Sequence, residues 1–306
     1  MGAIHCPFGS AFYDDEPCID CGLCLAMNKE EMVAASAKIR EYLRTHSERK
    51  ILSKKIAVAG KGGVGKSTVV TLLANALRGA GYRVLVLDSD ESNPGLQRLL
   101  GFDSAQAKPL LALLERFSPD EKKPETEWLN RDEISTKDIP SEYILERDSL
   151  KFLMVGKIED PFQGCACSMA DVARMFIQKL SLEDKEIILI DMEAGIESFG
   201  RGMERGVDTV LIIVEPSFES LALAEKVSYM AEGIGVNRVR AILNKIPSES
   251  IEKKIKEELE KRKIKTAGTI YLDSKISEAG LVGEAIPDKS EAEEEAKKIT
   301  ERLLAE

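Results

Sequence analysis

The chain has 306 residues and a net charge of −10, with 43% hydrophobic and 31% charged residues. That is an ordinary soluble composition for one large domain plus a small module. No apolar run reaches the roughly eighteen residues of a membrane span. The start, Met1-Gly2-Ala3-Ile4-His5-Cys6, lacks the basic-then-apolar pattern of an export signal, and an acidic total is unlike a surface built to coat phosphate backbones. A cytoplasmic location is therefore expected, with neither a membrane nor a nucleic acid as partner.

In chain order, residues 1–26 are rich in Cys, Pro, Asp and Gly and read as a loop wrapped around a ligand. Cys18-x-x-Cys21-x-x-Cys24 plus the remote Cys6-Pro7 offers four thiolates, the ferredoxin arrangement for a 4Fe-4S cluster. Two-residue spacings let three thiolates turn around three corners of a cube. Structural zinc is the alternative, since four thiolates also suit it. His5 reads as a solvated loop residue. A helix is expected from about Asn28 to Ser47: Asn28 can cap it, Glu31 has the capping-box spacing, and Met32, Val33, Ile39 and Leu43 fall near one face. These pieces make a Cys-rich module over 1–50. The basic stretch Arg49-Lys50 to Lys54-Lys55 reads as a linker to a second domain, 55–306.

From Lys55 the pattern becomes strand, helix, strand. Ile56–Ala59 is a buried strand, Ser67–Arg78 a helix ended by Gly79 and Gly81, and Arg83–Asp88 the next strand. The polar stretch 103–149, with prolines at 109, 119, 124 and 140, is expected to be an insertion with helical pieces. Strands then follow at Lys151–Val155, Glu186–Asp191, Thr209–Val214, Val239–Leu243 and Thr269–Leu272, with helical patterns between most of them. Short, continuous apolar strands alternating with helices give an α/β fold, a parallel sheet with helices on both faces. Ligands of such sheets sit at the carboxyl ends of the strands.

The string Gly60-Lys61-Gly62-Gly63-Val64-Gly65-Lys66-Ser67-Thr68 is a phosphate-binding loop between strand and helix. Glycines let its N–H groups face phosphates, the helix N-terminus adds partial positive charge, Lys66 reaches the terminal phosphates and Ser67 reaches Mg2+. ATP and Mg2+ are the implied ligands, with Gly62, Gly63, Val64, Gly65, Lys66, Ser67 and Thr68 around the nucleotide. Ile187–Asp191 is a hydrophobic strand ending in a carboxylate, so Asp191 is the expected Mg2+ residue. Asp88-Ser89-Asp90 ends the preceding strand at the same edge. A strand-end aspartate alone would read as a helix cap; placed after a phosphate loop, the catalytic reading leads.

With its early lysine, Lys61, the loop resembles the deviant Walker A group of P-loop NTPases, which includes the nitrogenase iron protein, MinD, ParA and the CooC proteins. The resemblance implies a homodimer clamped by ATP, with Lys61 crossing to the partner's nucleotide. It also implies that Asp90 orients the attacking water, and that Asn244, in Asn244-Lys245, contacts adenine. Glu91 stands where the group usually has proline.

Cys165-Ala166-Cys167 precedes Ser168-Met169-Ala170-Asp171, a capping-box spacing, so a helix is expected to begin here. Cysteines at a helix N-terminus are readily thiolate. One pair supplies two ligands, and two pairs across a twofold axis supply four, which suits zinc, nickel or a cluster. Asp191-Met192-Glu193-Ala194-Gly195-Ile196-Glu197, followed by Gly200-Arg201-Gly202, is similar to the second switch of CooC-type nickel-insertion ATPases. That resemblance implies maturation of carbon monoxide dehydrogenase or its acetyl-CoA synthase partner, with Ni2+ or Zn2+ held by Cys165 and Cys167 of both chains. The shorter CooC form lacks the N-terminal module.

Two rivals keep the ATPase but change its task. One is an ATP-gated electron donor or reductive activator using the N-terminal cluster. A shared cluster like that of the nitrogenase iron protein needs a cysteine after the second switch, and none follows Cys167. The other is an iron–sulfur scaffold ATPase of the Mrp type, whose C-x-x-C lies nearer the C-terminus. A MinD-like role would need a basic amphipathic tail, whereas the stretch from Ser290 to Glu295 is acidic.

Overall fold

The computed structural model describes residues 12–13, 16–17, 54–90, 95–102, 107–113, 127–157, 166–196, 206–236, 238–282, 284–286 and 290–306. The chain divides into two compact units, Met1–Leu52 and Ser53–Glu306. In the first, Phe12–Tyr13 pairs antiparallel with Glu16–Pro17. Its four cysteines and the expected helix from Asn28 to Ser47 lie outside the described residues.

The second unit is built on an eight-stranded sheet. Its strands in chain order are β1 (Lys55–Gly60), β2 (Arg83–Asp88), β3 (Ile144–Arg147), β4 (Leu150–Met154), β5 (Glu186–Asp191), β6 (Thr209–Val214), β7 (Arg238–Ile246) and β8 (Thr266–Tyr271). The spatial order is β8-β7-β6-β1-β5-β2-β4-β3. All neighbours are parallel except β3, which runs antiparallel to β4 at the edge. A parallel sheet needs cover on both faces. The main helices are α1 (Lys66–Gly79), α2 (Ala166–Lys179), α3 (Phe218–Gly233), α4 (Glu249–Lys261), α5 (Ser274–Val282) and α6 (Glu291–Ala305).

Side-chain alternation splits the core into two layers. On β1, Ala57 and Ala59 face a cluster with Phe176 of α2, Val227 of α3 and Leu259 of α4. Ile56 and Val58 face the opposite cluster, with Leu72 and Leu73 of α1 and Ala296 and Ile299 of α6. Period-two alternation therefore buries both sets, which is why the strand reads as continuously apolar. The close packing of α6 rests on Gly268 of β8. A Cβ there would stand 2.4 Å from Ile299 Cγ1, so only glycine admits the helix at this distance.

The stretch 103–149, expected as an insertion with helical pieces, does contain a short helix, Glu127–Asn130, and a 3-10 turn, Leu110–Leu113. It also supplies β3 to the main sheet and buries Trp128 and Tyr143 in the core, with the Trp128 ring against both Tyr143 and Phe176. Helix α2 spans Ala166–Lys179, so Ser168 lies inside it and not ahead of its first residue. Strand β8 begins three residues earlier than Thr269, carried by pairing with β7 across a register shift.

Candidate nucleotide-binding site

The sheet brings four strand ends to one edge. β1 runs into the phosphate loop, β2 ends at Asp88, β5 ends at Asp191, and β7 carries Asn244. The register places Asp88 directly beside Asp191 on adjacent parallel strands, and Asp191 beside Val58 of β1.

The loop is braced from behind. Gly65 sits at the mouth of α1 with φ +94°, a left-handed conformation that favours glycine. A Cβ there would also lie 2.5 Å from Asn244 Nδ2. Asn244 is buried and its Nδ2 donates to the Val64 carbonyl at 2.8 Å, while Lys245 Nζ donates to the Gly63 carbonyl at 2.6 Å. One N–H of the Asn244 amide is thus engaged by the loop, and Asn244, expected from the resemblance to contact adenine, also lines the cleft. Lys245 has φ +56°, which is uncommon for a residue with a side chain. It was not anticipated, although its place next to Asn244 was the available signal.

Lys66 and Ser67 open α1 and are both buried. Ser67 Oγ donates to Asp191 Oδ2 at 2.6 Å. The other oxygen, Asp191 Oδ1, is buried without a hydrogen-bond partner. Burial pushes the Asp191 carboxyl up to about 7, and the charge of Asp88 adds to the rise. Asp88 is itself pushed up to about 6 by burial, against the pull of the Lys157 ammonium. Ser89 holds the strand end through its N–H and hydroxyl, both bonded to the Asp191 carbonyl at 3.0 and 2.8 Å. Asp90 follows, buried, with its N–H donating to Asp88 Oδ1 at 3.2 Å.

Between the loop and the start of α5 lies a cleft of about 740 Å3. Gly62, Gly63, Gly65, Lys66, Ser67, Thr68, Asp90 and Asn244 line one side; Tyr271, Leu272, Asp273 and Ile276 line another. This volume suits a nucleotide-sized ligand. The structure thus brings together Lys66, Ser67, Asp90, Asp191 and Asn244, as the sequence suggested. Lys61 is beside the group but turned away: its Nζ lies 3.6 Å from Glu215 Oε1, and it does not line the cleft. Cys167 falls in the first turn of α2, and Cys165 lies outside the described residues. Lys157 and Glu215 were missed, because neither belongs to a recognisable string.

The profile of the CobQ/CobB/MinD/ParA nucleotide binding domain matches residues 55–286. The chain belongs to this family. As a CobQ/CobB/MinD/ParA-type protein it is a P-loop ATPase. An ATP-binding protein of Methanocaldococcus jannaschii is 39% identical over 236 residues, covering 76% of this chain and 93% of that protein. The carbon monoxide dehydrogenase accessory protein CooC of Rhodospirillum rubrum is 34% identical over 200 residues, covering 63% of this chain and 75% of that protein. Among solved structures, the MinC:MinD cell division protein complex of Aquifex aeolicus superposes with a TM-score of 0.62 at 22% identity, over 83% of this chain and 96% of that one. That last likeness concerns the fold.

A nucleotide of this family implies Mg2+. The residues present fit it: Asp191 Oδ1 is a buried acceptor lacking a donor, and Ser67 Oγ lies on the other oxygen. Among the described residues there is no group of three or more His, Cys, Asp and Glu side chains able to hold a metal ion. When bound there, Mg2+ supplies charge neutralisation at the transferring phosphoryl group. At the same edge the chain presents the braced loop, the buried Lys66 and the buried Asp90. Among the described residues no helix is long and apolar enough to cross a membrane.

Proposed function

We propose that this ATPase is a metallochaperone that supplies nickel during maturation of carbon monoxide dehydrogenase or its acetyl-CoA synthase partner. The observation that carries the reading is the likeness to the CooC accessory protein. The Cys165-Ala166-Cys167 string supports it, because two thiolates from each of two copies supply four ligands to one Ni2+ or Zn2+. In this reading ATP clamps two chains, Lys61 reaches the partner's nucleotide, Lys66 holds the terminal phosphates, Ser67 and Asp191 hold Mg2+, and Asp90 orients water. Nickel is cargo, taken up as the thiolates converge and released when hydrolysis lets the chains part.

The four N-terminal cysteines, Cys6, Cys18, Cys21 and Cys24, favour a second task. We assign them a 4Fe-4S cluster on their spacing. A cluster would let the ATPase deliver electrons as well as metal, as a reductive activator would. Anaerobic purification is expected to give a brown protein with iron and acid-labile sulfide; a colourless zinc protein overturns this assignment.

Nickel delivery is tested with analytical ultracentrifugation and metal analysis. With Mg2+-ATP, wild type is expected to dimerise and retain about one Ni2+ per dimer. Cys165→Ser/Cys167→Ser is expected to lose the nickel and keep ATP binding. Nickel retained by that double variant removes the metallochaperone reading.

A further inference from the structure

Where β4 leaves the sheet, Val155 N donates to the Asp88 carbonyl at 2.9 Å, and two residues later Lys157 turns back toward the same strand end. Its Nζ lies 2.9 Å from Asp88 Oδ1 and 2.8 Å from Asp88 Oδ2, and it also donates to the Asp90 backbone carbonyl. The Lys157 side chain is 10% exposed and that of Asp88 2%. A buried ammonium in this position costs desolvation energy unless its donors are satisfied. Here the ammonium donates to Asp88 Oδ1 and to the Asp90 carbonyl, and Asp88 Oδ2 lies within ion-pair distance. The ammonium thus joins the first residue of the Asp88-Ser89-Asp90 turn to the last, across an N–H bond from Asp90 to Asp88 Oδ1.

Asp88 does not line the nucleotide cleft, and neither does Lys157, but Asp90 does. The carboxylates of Asp88, Asp90 and Asp191 crowd one strand edge, with Lys66 on the nucleotide side. We infer that Lys157 is a positioning residue for ATP hydrolysis: it fixes the turn that presents Asp90 to the cleft and balances the buried charge of Asp88. The inference rests on the ATPase assignment and deepens it. It concerns the chemical step, since these Lys157 contacts lie on the Asp88-Ser89-Asp90 turn, outside the phosphate loop and the base side of the cleft.

The test compares Lys157→Met, Lys157→Gln and Lys157→Arg with wild type, measuring steady-state kcat and KM and the Kd of a non-hydrolysable ATP analogue. In Lys157→Met and Lys157→Gln, kcat is expected to fall by about 10- to 100-fold, the scale of a misplaced group near a reacting centre. Analogue Kd is expected to stay within about threefold, because the loop contacts are untouched. Lys157→Arg keeps the charge with a different donor geometry and is expected to fall between wild type and Lys157→Gln. Should Lys157→Met fail to fold, the comparison of Lys157→Arg with Lys157→Gln carries the test. Unchanged kcat in a folded variant, parallel loss of kcat and analogue binding, or no difference between Arg and Gln overturns the inference. If wild type turns over ATP and the variants match it, the inference alone fails. If wild type turns over no ATP, the ATPase assignment fails with it.

Discussion

Asp191 is a carboxyl whose ionised form the ligand-free fold disfavours. Its carboxyl is fully buried, accepts one hydrogen bond from Ser67 and leaves Oδ1 unpartnered. Its folded-state pKa is about 7 against an ordinary 3.8, and that of Asp88 is about 6. Both shifts are upward. Between about pH 4 and 7 the folded chain therefore holds protons that the unfolded chain has released. In EDTA and without nucleotide, stability is expected to fall as pH rises through that window and to level off above it. Ionised burial of this kind costs on the order of a few kcal/mol. Asp191→Asn removes the charge and keeps an acceptor for Ser67. It is expected to raise the ligand-free Tm at pH 8, at about 2–4 °C per kcal/mol, while abolishing Mg2+-dependent hydrolysis. A Tm equal to or below wild type, measured by calorimetry, would show that the buried carboxylate is not the strain.

At the scale of elements, the close seat of α6 on β8 is set by one missing methyl. Gly268 leaves room for Ile299, whose Cγ1 would stand 2.4 Å from a Cβ. Gly268→Ala is expected to destabilise by about 1–3 kcal/mol, the usual cost of overpacking a core. Ile299→Ala alone opens a cavity and costs about 2–5 kcal/mol. Combined, the added methyl partly fills the vacated space, so the double variant is expected to be less destabilised than the sum of the singles. Additive values from denaturant unfolding would mean the two residues do not share that contact. This contact also marks the boundary of what the chain reveals as sequence. The central strands were legible because each is an unbroken apolar run buried on both faces. The phosphate loop was legible because its glycines are required by backbone geometry. Strand β3 was not: Ile144-Leu145-Glu146-Arg147 sits at an edge with its last residues exposed, so its pattern is half polar and is hidden in a proline-rich stretch. Lys157 was hidden for a different reason. A buried lysine is recognisable only from the carboxylate it meets, and Asp88 lies 69 positions away.

For the whole molecule, the orientation of Lys61 bears on whether one chain can work alone. The residue belongs to the phosphate loop, yet its ammonium lies toward Glu215 and outside the cleft that Lys66 and Ser67 line. A loop lysine turned away from its own cleft is available to a second copy once nucleotide competes with Glu215 for it. Mixing inactive variants separates action across the dimer from action within one chain. Lys61→Ala lacks the ammonium but keeps Asp90; Asp90→Ala keeps Lys61 but lacks the carboxylate proposed to orient water. In a heterodimer with Lys61 acting across the interface, the Lys61→Ala chain regains a complete site, its own Asp90 plus the partner's lysine. The other site lacks both. In an equal random mixture half the dimers are mixed and half of their sites are complete, so the activity is expected to recover to roughly a quarter of wild type. If each chain uses its own Lys61, neither site in the mixed dimer is complete and mixing restores nothing. The ATP hydrolysis rate of the mixture, against each variant alone, decides between the two, and a mixture no more active than its components would leave ATP without a means of drawing two chains, and their Cys165 and Cys167 thiols, around one ion.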